Sequence, residues 1–322
     1  MVSCLGLLNA YIFKKILIFT FSLFFIIFYP SFGYSKWEEG VPLPKAKSGT
    51  SAAILSKNII VIGGKGIVGN NPISEIFDLE GQIWRPISIF PKDLHSFRIV
   101  NFGTNIFLCG GHDGKKITNK CWIYDDILSN WAEISPMPFA RAEHIMVQID
   151  NKIYVLGGIG DEPEIVMSYD LISRNWQYNL SKFLNPVYSP GFTVFNKKIA
   201  IIGGIEISSG KIIDDFTIYD PKLDKWIKYD NYPLHVASPS LQQIDNNLHV
   251  VGGKLLNPNK TYDNHFSFVN KRWIAKEPIP TPRHDMSSAF FEGKWYLIGG
   301  AISPGIFSLF SPTDVVEIYQ EK

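Results

Sequence analysis

Six short apolar runs recur along the chain, and each ends on a glycine pair. They read IIVIGG at 59–64, IFLCGG at 106–111, IYVLGG at 153–158, IAIIGG at 199–204, LHVVGG at 248–253 and WYLIGG at 295–300. Four largely apolar residues bounded by turn signals suit a buried strand and are too few for a helix. Before each run lies a strand-like stretch such as residues 144–149, joined to it by a tight turn. Asp150-Asn151 and Asp245-Asn246 supply that turn with residues that tolerate left-handed backbone. After each glycine pair come a third stretch holding an aromatic residue and a fourth holding Trp. The pattern predicts units of four short strands, a to d, with the glycines closing strand b. There a side chain would clash with crowded neighbours and the backbone must turn sharply.

The units keep one period. The first glycines stand at 63, 110, 157, 203, 252 and 299, in steps of 47, 47, 46, 49 and 47. Trp37, Trp84, Trp131, Trp176, Trp226 and Trp273 follow with steps of 47, 47, 45, 50 and 47. Seven residues before four of these Trp lies an aromatic–acid pair: Phe77-Asp78, Tyr124-Asp125, Tyr169-Asp170 and Tyr219-Asp220. Phe268 and Tyr319 hold the place without the Asp. Six phased glycine pairs with six phased Trp resemble the kelch repeat, over residues 36–322. The resemblance implies an all-β fold, a six-bladed kelch-type β-propeller with four antiparallel strands per blade. The last unit has strands a, b and c but no Trp, whereas Trp37 precedes every glycine pair. Residues 36–41 are therefore expected as strand d of the last blade, the N-terminal strand closing the ring and hiding its edges.

The apolar pattern differs at the N-terminus. Lys14 and Lys15 precede fourteen residues, 16–29, whose only polar members are Thr20 and Ser22. A bilayer-crossing helix needs roughly 20 residues, so the run has the length of a signal-peptide core. Pro30 ends it, and Gly33 and Ser35 are small residues suited to a cleavage site. Residues 1–35 are expected to be a signal peptide cleaved after Ser35, with an uncleaved anchor as the alternative. Residues 36–322 are then an exported propeller, periplasmic or extracellular, with no membrane span after cleavage.

Charge and cysteine content narrow the function. The 322 residues hold 31 basic and 30 acidic side chains. That balance lacks the cationic surplus a nucleic-acid partner requires. Of three cysteines, Cys4 lies in the leader, leaving Cys109 and Cys121 as either a disulfide or two buried thiols. There is no H-x-H, H-E-x-x-H, C-x-x-C, G-x-S-x-G or Walker motif. The expectation is no metal and no cofactor. A closed ring has no edge to pair, so a monomer is expected.

Strand alternation puts the b–c and d–a connections on one face. The b–c loops vary most in length, and varied loops on a rigid scaffold carry binding residues. Six of the chain's seven His fall on that face, with several Arg. The candidate ligand-binding residues are His95, Arg98, His112, Asp113, Arg141, His144, His235, Arg283, His284 and Asp285. Each competes with a scaffold role. Lys47, Arg141 and Arg283 all stand sixteen residues before a glycine pair, as repeat packing residues would. The expected function is an exported module binding a protein or glycan through this face. In export signal, size and blade count the chain also resembles the N-acetylneuraminate epimerases. That resemblance, of architecture alone, implies a sugar epimerase or mutarotase with an acid–base group and a cation for a sugar carboxylate. Glu206, in GGIEISSG, is the candidate acid, and Arg98, Arg141 or Arg283 the cation.

Overall fold

The six units fold into six four-stranded antiparallel sheets, each a blade of one ring. The structure is a computed structural model, describing residues 37–67, 74–87 and 94–321. The leader expected at 1–35 lies outside the described residues. Strands a of blades 1 to 6 are Ser51–Leu55, Arg98–Phe102, Ile145–Ile149, Gly191–Phe195, Ser240–Ile244 and Ser287–Phe291. In blade 6, strand a is followed by Lys294–Ile298, Val316–Gln320 and, from the other end of the chain, Trp37–Glu39. Trp37 pairs with Tyr319 and Glu39 with Glu317, so the N-terminal strand closes the ring. Among the described residues the one helical element is a 3₁₀ turn, Gly305–Phe310.

The repeat letters have local causes. Each phased Trp is the cross-strand partner of the phased aromatic: Trp84 of Phe77, Trp131 of Tyr124, Trp176 of Tyr169, Trp226 of Tyr219, Trp273 of Phe268 and Trp37 of Tyr319. Their ring centroids lie 4.8–5.3 Å apart, a tilted contact that adds to the area they bury. The Asp that follows the aromatic turns the chain into strand d. Asp170 Oδ1, for example, accepts from the N–H groups of Ile172 and Ser173 at 3.0 and 2.8 Å.

The glycine pairs join blades. Both members have positive φ in all six, from 61° to 105°. The second glycine donates its N–H to the next blade: Gly111 to Arg141 O, Gly204 to Val236 O and Gly300 to Lys47 O, each at 2.8 Å. A Cβ on Gly203 would sit 2.1 Å from Val236 O. The crowding is thus between neighbouring blades, where backbone meets backbone.

Apolar burial follows the same seams. The core divides into six clusters, one between each pair of adjacent blades. Strands b, such as Asn58–Ile62 and Lys198–Ile202, are buried after their first residue, so a propeller core is a ring of interfaces. Cys109 and Cys121 are cross-strand partners in blade 2 and form a disulfide, with Cα atoms 4.2 Å apart.

Candidate functional site

Just before each strand a, one residue turns left-handed: Gly49, Ser96, Glu143, Ser189, Ser238 and Asp285, with φ between 50° and 64°. Each stands fourteen residues before its glycine pair. Their backbones bond head to tail around the ring axis. Gly49 N–H donates to Asp285 O at 2.9 Å, Asp285 to Ser238 at 3.3 Å, Ser238 to Ser189 at 2.8 Å, Ser189 to Glu143 at 3.2 Å and Glu143 to Ser96 at 2.9 Å. Five of these six residues line a cavity of about 230 Å³, together with Lys65, His95, Arg98, Lys254 and Leu309. It lies on the b–c and d–a side. Beyond it, all six strands a enclose a second cavity of about 420 Å³. Arg98 and Asp285 line both.

Charges in this mouth are unevenly matched. Asp285 Oδ2 meets Lys254 Nζ at 2.8 Å and His284 Nδ1 at 2.7 Å. Burial pushes the Asp285 carboxyl up, but these two neighbours overrule it and hold it well below the usual carboxylate range. Glu143 accepts a hydrogen bond from the Ser189 hydroxyl. Among the described residues Arg98 donates to carbonyls, Nε to His144 O at 3.0 Å and Nη1 to Phe97 O at 3.3 Å. Its guanidinium lies 5.6 Å from the Phe192 ring of blade 4. Burial lowers its pKa, while Glu143 and Asp285 raise it. Among the described residues neither Arg98 nor Lys65 makes an ion pair. His95 and His112 stack at the rim, centroids 5.1 Å apart and planes at 21°.

The structure divides the residues expected on this face. His95, Arg98 and Asp285 line the mouth, and His112 stands beside His95. His284 is buried behind Asp285, its ring nitrogens facing Asp285 and Ser303 O, so it holds the carboxylate without lining the cavity. Arg141, His144 and Arg283 are fully buried between blades, because each side chain turns away from the axis into a seam. Arg283 pairs with Glu317 at 2.7 Å, and Lys47 pairs with Glu75. Arg141 has no such carboxylate. Its Nη atoms donate to Ala140 O and Glu162 O, and Phe139 lies beside the guanidinium. Burial lowers the Arg141 pKa to about 10. Among the described residues His144 has no hydrogen-bond partner at either nitrogen, and burial holds it well below the usual imidazole range, aided by Arg98 and Arg141. Asp113 is exposed and caps its own loop, accepting from Lys115 and Lys116 N–H at 3.0 and 2.8 Å. His235, exposed, lies 3.7 Å from Asp214 outside both cavities. Glu206 also lies outside them, accepting from Ser209 Oγ at 2.5 Å.

His265 also sits away from the mouth. It is buried at the closing seam, bonded to His249 at 2.9 Å and edge-on to Trp37. Burial first, then His249, lowers its pKa to about 3.

Sequence reasoning bounded the mouth loops without singling out Lys65, Lys254, Ser96 or Ser189. A signal existed: position fourteen before each glycine pair reads Gly, Ser, Glu, Ser, Ser and Asp, all small or polar. These are residues that accept or tolerate left-handed backbone more readily than branched ones.

Comparison with known proteins agrees with this architecture. Residues 59–268 match the Attractin/LZTR1 β-propeller family. Mouse Kelch-like protein 35 is 25% identical over 252 residues, covering 76% of this chain and 42% of that protein. Kelch-like protein 40 of Xenopus tropicalis is 27% identical over 248 residues, covering 72% and 39%. The chain thus spans about two-fifths of the length of these curated relatives. A solved structure of YjhT superposes with a TM-score of 0.77 at 16% identity, over 88% of this chain and 97% of that one. The chain belongs to the Attractin/LZTR1 β-propeller family, as a six-bladed propeller of kelch repeats.

Proposed function

We propose that this propeller is an exported, monomeric binding module that holds a protein or glycan ligand at the mouth formed by its b–c and d–a loops. The observation that carries the reading is the ring of left-handed residues. It fixes six backbone positions around the axis, five of which line the cavity, and among the described residues neither Arg98 nor Lys65 beside them is ion-paired. Backbone strain of this kind persists where surrounding structure supports it, and it clusters at ligand sites. The Cys109–Cys121 disulfide supports an oxidising compartment, and the leader at 1–35 supports export. No helix among the described residues is long and apolar enough to cross a membrane. Kelch propellers generally bind proteins, which favours a protein over a glycan.

The test is binding of the purified chain to a glycan array and to a displayed peptide library, alongside a variant with Ser189→Trp. Ser189 lines the mouth, so a bulky ring there fills the cavity. Ligands that bind the parent and not the variant support the reading. Ligands that bind both equally place the site elsewhere.

The epimerase reading loses its first candidate acid. Glu206 shares neither cavity with Arg98. A sugar bound in the mouth would meet Glu143 and Arg98 instead. Anomer exchange of sialic acid followed by NMR tests this directly. Acceleration that Glu143→Gln abolishes would establish the enzyme, and a rate equal to buffer would remove it.

A further inference from the structure

The 3₁₀ turn Gly305–Phe310, in the sixth b–c loop, has no buried residue. Ile306, Phe307, Leu309 and Phe310 are 70, 62, 48 and 68% exposed. Together they reach the scale of about 300–600 Å² at which an exposed apolar patch marks an interaction site. Three other b–c loops expose one large apolar side chain each, Ile67, Ile207 and Leu256. The turn adjoins the mouth, because Ser308 and Leu309 line the same cavity as Lys65 and Arg98. Apolar surface and a mouth with one more cation than carboxylates among its described lining residues therefore stand side by side.

We infer that the natural ligand is a protein segment that inserts a carboxylate into the mouth and packs bulky apolar side chains on the Ile306–Phe310 surface. The inference rests on the binding-module reading and specifies its partner. Charge complementarity selects the carboxylate. The described residues lining the mouth hold three cations, Lys65, Arg98 and Lys254, against two carboxylates, Glu143 and Asp285; both carboxylates attract Arg98 without forming an ion pair with it, and Lys254 and His284 already hold Asp285. An anion desolvated in the mouth needs a cation, and a guanidinium is the best matched to a carboxylate. The apolar turn selects the rest. A glycan can stack a C–H face on one exposed ring, but a contiguous surface of two Phe, one Leu and one Ile is matched in extent by apolar side chains. A flat bilayer can cover that surface but cannot fill the recess beside it. A peptide with Asp, Glu or a terminal carboxylate next to Phe, Leu, Ile or Trp does both.

The experiment selects a phage-displayed random peptide library on the full chain and measures the enriched peptides, as synthetic copies, against two variants. Phe307→Ser/Phe310→Ser strips the exposed turn. Lys65→Glu reverses one cation at the mouth. Neither change touches a fully buried side chain, and thermal unfolding checks that both variants fold. The expected peptides combine a carboxylate with bulky apolar residues, and each variant weakens them at least tenfold. Enriched peptides that bind both variants as well as the parent overturn the inference. A glycan bound in the mouth and indifferent to Phe307→Ser/Phe310→Ser also overturns it, while leaving the binding module standing. Binding to phosphatidylglycerol vesicles alone, lost in the Phe variant, reassigns the turn to a lipid surface and overturns the peptide.

Discussion

Two rings of residues, two positions apart in every repeat, have opposite fates. Sixteen residues before the glycine pairs stand Lys47, Leu94, Arg141, Val187, Val236 and Arg283, all buried in the seams. Fourteen before them stand Gly49, Ser96, Glu143, Ser189, Ser238 and Asp285, around the mouth. Both rings carry charge. Only the left-handed residues of the second ring present theirs to the cavity. The strand-c position two before each phased aromatic completes the first ring: Glu75, Trp122, Met167, Thr217, Phe266 and Glu317. Lys47 and Arg283 have acids there, and the aliphatic positions do not. Arg141 is the odd case, with Met167 at the corresponding strand-c position of its repeat. Periodicity alone therefore does not separate scaffold from site. What separates them is the backbone: the left-handed residues face the mouth, whereas those two positions earlier are buried in the seams with or without an acid opposite.

The strongest way to break this comparison is to remove one half of a buried ion pair. Arg283→Met or Lys47→Met strands a carboxylate, Glu317 or Glu75, and should cost about 3–5 kcal/mol in chemical denaturation. Burial lowers the Lys47 pKa and raises that of Glu75, so neither side chain is stable in its charged form alone. The double variant Arg283→Met/Glu317→Met should recover to within about 1 kcal/mol of the parent, because no charge remains buried. Equal losses in single and double variants would show that the pair itself does not carry the effect.

Arg141 sharpens the contrast. Arg141→Met leaves two carbonyls without a donor but no stranded charge. Its cost should be about 1–2 kcal/mol, visibly below that of Arg283→Met. A loss as large as that of Arg283→Met would mean that Arg141 is balanced by a group other than those described.

Acid should weaken the fold in two stages. His265 takes a proton only near pH 3 when folded but near 6.5 when unfolded. The unfolded state thus binds more protons below about 6.5, and stability present above that pH is lost as pH falls toward 3. His249, Lys276, Glu277 and Glu321 are the groups that face it. Asp285 is depressed below its ordinary 3.8, so its share of stability is present above that pH and lost below it. Denaturation midpoints against pH check both stages. His265→Gln should shrink the first stage, leaving the share of His144, and Asp285→Asn should shrink the second, leaving the share of the other depressed aspartates such as Asp170 and Asp220.

The smallest effect belongs to Glu206, whose partner is a neighbouring Ser in its own loop. Glu206→Gln should change stability by no more than about 0.5 kcal/mol and leave binding at the mouth intact.

Much of this fold was legible in the letters because it repeats. The glycine pairs, the Trp phase and Trp37 ahead of the first pair were enough to expect six blades and N-terminal closure. Strand alternation was enough to put the b–c and d–a loops on one side, where the mouth opens. The site was not legible, for a physical reason. Arg98 and Arg141 look alike in sequence, yet one lies across the mouth and the other in a seam. Each lies two positions from a left-handed residue, Arg98 after Ser96 and Arg141 before Glu143. His144 and Arg283 were expected on the rim for their chemistry, and burial removes them from it. Lys65 and Lys254 carried no signal as isolated lysines in loops. They matter because the ring brings them to the same cavity as Asp285 and Arg98.

Hydrogen–deuterium exchange, with and without the tightest peptide or glycan from the screens, tests the central claim most directly. Ligand should slow exchange at residues 48–49, 95–98, 143, 189 and 285, where the left-handed ring frames the mouth. Protection confined to the c–d turns on the opposite face, such as residues 80–82 or 126–129, would contradict it.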